Sequence, residues 1–292
     1  MMERENAETI AGRLYVVATP IGNLEDITLR ALRVLKECDV IACEDTRHTA
    51  KLLKHFSIQK RMLSYHKHNE ITRAAELVIE LEHGAQVALV SDAGMPGISD
   101  PGHRLVSLCA RHGIAVIPIP GANAMVAALA AGGLPVEQFT FAGFLPSRPT
   151  ERRKALRTFT DVHGTLVLYE TPHRLLDALE DALEILGNRP AVIAREMTKL
   201  HEEFLRGHLD QLVAALQKKE VHGEVTLLIG PADKSERPGG QDGEVILPLA
   251  KRVAEVMAER HLDQKAALKH VARERGMTRR EAYKELLITR EE

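Results

Sequence analysis

The sequence predicts an α/β protein: two successive α/β domains followed by a small helical domain. Three observations lead there. Apolar β-rich runs alternate with segments of 3.6-residue apolar period from Leu14 to Pro118, the pattern expected of a mostly parallel sheet covered on both faces. After Leu134-Pro135 the runs become more strand-rich, which suggests a second and more mixed sheet. A polar stretch rich in Pro and Gly, GPADKSERPGGQDGEV from Gly230, reads as a linker before a charged helical tail.

Taken in order, the first domain has strands over Leu14 to Ala18, Val40 to Cys43, Arg61 to Ser64, Val87 to Ser91 and Ala115 to Pro118. Helices fall between them over Leu24 to Glu37, Thr49 to Phe56, Ile71 to His83 and Gly102 to His112. Ala124 to Ala131 is an alanine-rich helix, with Asn123 as its N-cap and Gly132-Gly133 as its stop. The second domain has strands over Phe139 to Ala142, Thr165 to Glu170, Ala191 to Arg195, Glu203 to Gly207 and Val225 to Ile229, with three helices among them. The boundaries expected are a frayed arm over 1–12, domains over 13–119 and 120–232, a linker over 233–246 and a helical domain over 247–292. That last region carries eleven Lys or Arg against eight acids. Over Asp263 to Leu287 it has the pattern of a helix-turn-helix, turning at Gly276-Met277 and capped by Thr278. It reads equally as an RNA-contacting or dimer-buttressing appendage and as a solvated charged face.

A chain of 292 residues can bury two proper cores, and 45% hydrophobic with 27% charged residues is ordinary for a soluble protein. A formal charge of −2 excludes a globally basic nucleic-acid coat but leaves local basic patches open. The acidic start lacks the apolar core of a signal peptide, and no apolar run approaches the roughly 20 residues that span a bilayer. A cytoplasmic protein is expected. Cys38, Cys43 and Cys109 lack CxxC spacing and read as reduced core thiols; the fourteen histidines form no HExxH, so no metal is expected.

Chemistry concentrates where strands end in loops of small residues. Such junctions are YVVATPIGNLEDIT from Tyr15, LVSDAGMPGISDPG from Leu89 and VIPIPGANAMVAALAAGGLP from Val116. Loops of this kind at the carboxyl edge of an open sheet receive small polar ligands, because their backbone groups are uncovered. Neither GxGxxG nor GxxxxGK[ST] is present, which argues against an ordinary dinucleotide site and a P-loop.

The ordered set TPIGNLEDIT, AxEDTRHT, HxHNE, VSDAGxPxxxDPG, PGxxAxxxALxxxGLP, GFLPxxxxxRR, YExPHRL and AREMTKxHEEFxRG resembles the ribosomal small-subunit 2′-O-methyltransferase I family. That family lies in the tetrapyrrole methylase superfamily, the class III methyltransferases. The resemblance runs from about Leu14 to Ile229, with one departure: Met95 stands where the pattern has Thr. It implies S-adenosyl-L-methionine in a cleft between the two α/β domains, methylation of a cytidine ribose in the decoding region of small-subunit (16S) RNA, and a homodimer. Cofactor contacts carried over by the resemblance are Pro20, Val90, Ser91, Asp92, Met95, Asn123, Ala124, Tyr169, Glu170, Met197, and Gly223 or Glu224. The residue chemistry agrees at several positions. Ala93, Gly94 and Ala124 allow close approach of the backbone, and Asp92 can accept hydrogen bonds or offset a sulfonium charge, or else simply form the turn.

A ribose hydroxyl is far too weak an acid to ionise beforehand, so positioning carries most of the acceleration and a base takes the proton as the bond forms. Glu44, directly after the strand DVIAC and where the resemblance places an acidic base, is the first candidate; Asp45, Asp100 and His66 follow. The plainer reading of Glu44 is a helix cap or a partner of Arg47. With aromatics at 3% and no Trp, RNA contact is expected from charge. Arg47, His48, His66, His68 and the run Arg148, Arg152, Arg153, Lys154, Arg157 are the phosphate-binding candidates, the last also readable as an exposed helix face. Two competing functions share the fold. One is a tetrapyrrole C-methyltransferase, whose GxGPGD and GDPxxF motifs are missing here; the other is a non-catalytic RNA-binding relative.

Overall fold

Alternation of side chains along short parallel strands builds the first half of the molecule. In the computed structural model, which describes residues 12–218, 221–232, 249–260, 262–274 and 282–283, β1 (Arg13–Val17), β2 (Val40–Cys43), β3 (Arg61–Ser64), β4 (Gln86–Val90) and β5 (Ala115–Ile119) pair in the order β3-β2-β4-β1-β5, all parallel. Leu14, Val16, Val40, Ala42, Val87 and Leu89 point to one face, where α3 (Glu70–Glu82) and α4 (His103–Arg111) cover them. Val17, Ile41, Cys43, Ala88 and Val90 point to the other, under α1 (Leu29–Glu37) and α2 (Thr46–His55). The neighbouring strands β1 and β4 therefore send their connections to opposite faces, which opens a crevice at their carboxyl ends.

Most boundaries agree with the sequence reading to within two residues; two helix starts differ by three or more, each because a side chain captures a backbone N–H. The run from Leu24 to Glu37 is not one helix. Asn23 Oδ1 accepts from Glu25 N and closes a short 3-10 turn over Leu24–Asp26, and Thr28 Oγ1 accepts from Ala31 N to start α1 afresh. Likewise α2 begins at Thr46 rather than Thr49, because Asp45 caps it with a 2.8 Å bond from Arg47 N.

The second half is a mixed sheet, β6 (Phe139–Phe144), β7 (Thr165–Glu170), β10 (Val225–Ile229), β8 (Pro190–Arg195) and β9 (Glu203–His208), in that order. Only β6 and β7 are parallel. One face is filled by α6 (Pro149–Arg157), α7 (Pro172–Leu186) and α8 (Leu209–Leu216). The other carries α5 (Ala124–Gly132), whose Ala128 and Leu129 pack on Val167, Val192, Ala194 and Leu228. That contact is close enough that a Cβ on Gly132 would lie 2.6 Å from Leu228 Cδ1. Both sheets belong to one compact unit, Met1–Ala232; Asp233–Glu292 forms another. In the latter, α9 (Leu249–Arg260) and α10 (Gln264–Glu274) bury Val253, Val256, Leu268 and Val271 between them, with Asp263 capping α10 through Ala266 N at 2.7 Å. The linker over 233–246, the turn at Gly276-Met277 and the cap at Thr278 lie outside the described residues.

Candidate active site

The crevice at the carboxyl ends of β1, β4 and β5 is closed by the second half of the unit into a cavity of about 360 Å³. Its floor is built by backbone. Thr19 and Gly94 exchange N–H···O bonds of 2.9 and 3.0 Å, tying the loop after β1 to the loop after β4. Thr19 Oγ1 donates to the Ser91 carbonyl at 3.1 Å, and Ser91 Oγ lies 3.3 Å from the carbonyls of Ala93 and Gly94. Gly94 holds φ +78°, a conformation that a side chain would strain. Behind this floor, Gly121 passes so near β1 that a Cβ would sit 2.9 Å from that of Ala18. Asn123 then caps α5, its Oδ1 accepting from Val126 N at 3.0 Å.

The opposite wall comes from the end of β7, the start of α7, and the segments around Met197 and Gly223. The Tyr169 ring packs edge-on against Phe141 and tilted against Phe144, and burial raises its phenol above the ordinary value. Glu170 is 3% exposed; Oε1 accepts from Thr171 N at 2.8 Å, with Arg174 Nε at 3.4 Å. Its Oε2 is buried without a hydrogen-bond partner. Arg174 Nε is likewise buried without a hydrogen bond, so the two side chains form a buried ion pair behind the cavity wall.

Of the residues expected to contact a cofactor, Ala93, Gly94, Met95, Asn123 and Ala124 line one side of this cavity. Tyr169, Glu170, Met197, Gly223 and Glu224 line the other. Pro20, Val90, Ser91 and Asp92 are not on its lining: Val90 faces the core under α1 and α2, Ser91 is turned into the floor, and Asp92 Oδ1 accepts from Asp45 N at 3.2 Å. The sequence reading missed Ile21, Ile98, Ser99, Phe144, Thr171, Pro172, Val225 and Thr226. Ile21, Ile98, Ser99, Phe144, Thr171 and Pro172 lay inside the quoted segments TPIGNLEDIT, LVSDAGMPGISDPG, GFLP and YETPHRL, whereas Val225 and Thr226 fall in a strand whose apolar pattern gives no sign of a site.

Beside the cavity stands a group of carboxylates. Asp100 lines it, and burial, with Glu44 close by, pushes its acid up to about 6. Glu44 is half-buried and is also raised, by burial first and by Asp92 next, while Lys67 and His66 pull the other way. The expectation that Glu44 caps α2 or pairs with Arg47 is corrected: its neighbour Asp45 does both, with an ion pair of 2.7 Å that holds its own carboxyl low. Glu44 is left facing the carboxylate group. Among the described residues, no set of three or more His, Cys, Asp or Glu could hold a metal ion.

The basic candidates separate. Arg47, His48, His68 and Arg148 are exposed, with Arg47 paired to Asp45 and the rings of His66 and His68 in edge contact at 5.8 Å. Arg152 is a correction. It is 3% exposed, with Nε 2.6 Å from Asp181 Oδ2, and so is not placed to meet a phosphate. Arg153 is half-exposed but shared between Asp181 at 2.6 Å and Glu184 at 3.0 Å.

Comparison with known proteins adds sequence and fold. Residues 13–213 match the family model described as Tetrapyrrole (Corrin/Porphyrin) Methylases. A protein of Halalkalibacterium halodurans named "Ribosomal RNA small subunit methyltransferase I" is 50% identical, over 93% of this chain and 93% of its own length. One of the same name from Escherichia coli O157:H7 is 44% identical over 92% and 97%. Among solved structures, a uroporphyrin-III C-methyltransferase from Thermus thermophilus complexed with S-adenosylhomocysteine superposes with TM-score 0.53 at 24% identity, over 75% of this chain and 97% of that one. At that identity the likeness shows the fold alone.

Proposed function

The chain belongs to the tetrapyrrole methylase family and, within it, to the ribosomal RNA small subunit methyltransferase I proteins, and on that premise we propose that it uses S-adenosyl-L-methionine to methylate small-subunit ribosomal RNA at a cytidine 2′-hydroxyl of the decoding region. The observation that carries the reading is the cavity itself. It is lined on one side by Ala93, Gly94 and Ala124, which let a ligand approach backbone, and on the other by Tyr169, Glu170, Met197 and Gly223, which mix apolar surface with polar groups. Those features suit a ligand with an amine-bearing nucleoside and an amino-acid arm. Asn123, Tyr169, Met197 and Gly223 would flank it. Bound there, S-adenosyl-L-methionine supplies an electrophilic methyl group on a sulfonium.

The protein's own part is to orient the ribose and receive a proton. Asp100, on the lining, and Glu44, beside it, are the acceptors, with His66 and Lys67 close enough to Glu44 to oppose its protonation. In the transfer the methyl carbon would pass to the ribose oxygen as its bond to sulfur breaks to leave a neutral thioether, and the ribose proton would pass to the Asp100 or Glu44 carboxylate. Carboxylates with raised acids are suited to this role near neutrality. Exposed Arg47, His48, His68 and Arg148 are proposed to hold RNA phosphates. We also place the protein in the cytoplasm as a homodimer. No helix among the described residues is long and apolar enough to cross a membrane, and Val126 on α5 and Phe139 on β6 are exposed apolar side chains for a second copy to cover.

The test is transfer of labelled methyl to isolated small subunits, followed by nuclease mapping. A labelled cytidine 2′-O-methyl group is expected. Label on a base, or none with subunits that lack the modification, would overturn the reading.

A further inference from the structure

At the other end of the first sheet, away from the carboxyl edge, lies a second cavity of about 290 Å³. We propose that it is a phosphate-binding site, built by Arg13, Arg30 and Arg33.

Two elements bring the arginines together. On α1, Arg30, Arg33, Val34 and Glu37 fall at i, i+3, i+4 and i+7, so they form one stripe along the helix. On β1, Arg13 and Tyr15 alternate onto the face that α1 covers, and Tyr15 is in register with Ile117 of β5. Tyr15 Oη donates to Gln86 Oε1 at 3.1 Å, which fixes the ring as a wall. Arg13 and Gln86 are register partners at the amino ends of β1 and β4.

The charge is unbalanced. Glu37 is the carboxylate on the lining, and it sits 3.3 Å from Arg33, both largely exposed. Arg13 and Arg30 are in no ion pair among the described residues; the Asp39 carboxylate close by is taken up by Gln86 N at 2.7 Å, so neither guanidinium is directly compensated. Their planar forks match phosphate oxygens. The volume of about 290 Å³ leaves room for a phosphate or diphosphate. The same chemistry serves two sources: a small soluble phosphate, or the backbone of an RNA strand.

The experiment is calorimetric titration of the full chain with inorganic pyrophosphate, in low salt, for the native sequence and for Arg13→Gln/Arg30→Gln. This pair leaves the Arg33–Glu37 contact in place and respects helix propensity. Saturable binding that the double variant weakens roughly tenfold or more, with an unchanged unfolding midpoint and unchanged affinity for S-adenosylhomocysteine, supports the site. No saturable binding, or equal affinity in both proteins, overturns it. Because S-adenosylhomocysteine reports on the carboxyl-edge cavity, failure here is distinct from failure of the methyltransferase reading. A short single-stranded oligoribonucleotide that displaces pyrophosphate from the native protein assigns the site to RNA backbone; one that does not assigns it to a small phosphate. Either result presupposes the site.

Discussion

Removing the Arg152 guanidinium separates a structural role from an RNA-binding one. Arg152 and Asp181 have side chains 4% and 5% exposed and meet at 2.6 Å, with Asp177 3.7 Å from the same guanidinium and Arg153 sharing Asp181 from the rim. In Arg152→Ala the Asp181 carboxylate stays buried with only the half-exposed Arg153 beside it. Breaking such a pair from one side costs about 3–5 kcal/mol. At about 2–4 °C per kcal/mol for a unit of this size, the unfolding midpoint falls by roughly 6–20 °C. Arg152→Met with Asp181→Leu removes both charges and refills the space, and recovers most of the loss, since apolar replacement of a whole buried pair is often neutral. Urea denaturation followed by circular dichroism measures both variants. A loss under about 1 kcal/mol in Arg152→Ala, accompanied by weaker RNA binding, would refute the buried-pair argument and restore the phosphate role.

Three further outcomes follow from the same geometry. Because the folded Asp100 acid lies near 6, above its ordinary 3.8, its contribution to stability is full below 3.8 and lost as pH rises through about 6. Asp100→Asn should therefore flatten the fall of the unfolding midpoint across that window, and an unchanged slope would place the proton elsewhere. Glu44→Gln is expected to hold S-adenosylhomocysteine within a few-fold of native affinity and to lower turnover roughly tenfold or more, read by labelled-methyl transfer; unaltered turnover assigns the proton to Asp100 or His66. Gly223→Ala should weaken S-adenosylhomocysteine binding and lower stability by about 1–2 kcal/mol or more in calorimetry. Residue 223 sits at φ +85°, and a Cβ would land 2.1 Å from Glu196 Oε1, the atom that accepts from Glu224 N and Lys199 Nζ. Native-like affinity in that variant would show that the turn gives way without cost.

The alternation of apolar runs was enough to place Val40–Cys43, Arg61–Ser64, Thr165–Glu170 and Val225–Ile229 at the residues where the strands lie. Strands buried on both faces, as Val40–Cys43 and Val225–Ile229 are, leave continuous apolar runs bounded by polar turns, a signal local to the segment. Small-residue loops after β1, β4 and β5 were equally legible, since close backbone approach restricts what can stand there. What defeated sequence reasoning was direction. Glu44 and Asp45 are neighbours of like chemistry, yet one caps α2 and the other faces the carboxylates, a choice made by where β2 ends. The run of arginines after Arg148 looks uniformly exposed, but the turn of α6 points Arg152 inward with Leu156, toward Asp181 twenty-nine residues on.

By itself, then, the chain's order of apolar and small residues determined two α/β halves and the junction loops, and the resemblance of its motifs pointed to the family. Only the packing of the halves decided which carboxylates share one side of the cavity, which arginines are buried as ion pairs, and which stand uncompensated around a second hollow. The physical reason is range. Periodicity and turn chemistry act over a few residues, whereas burial, charge pairing and the shape of a cavity depend on groups far apart in sequence, and those distances exist only once the sheets are assembled.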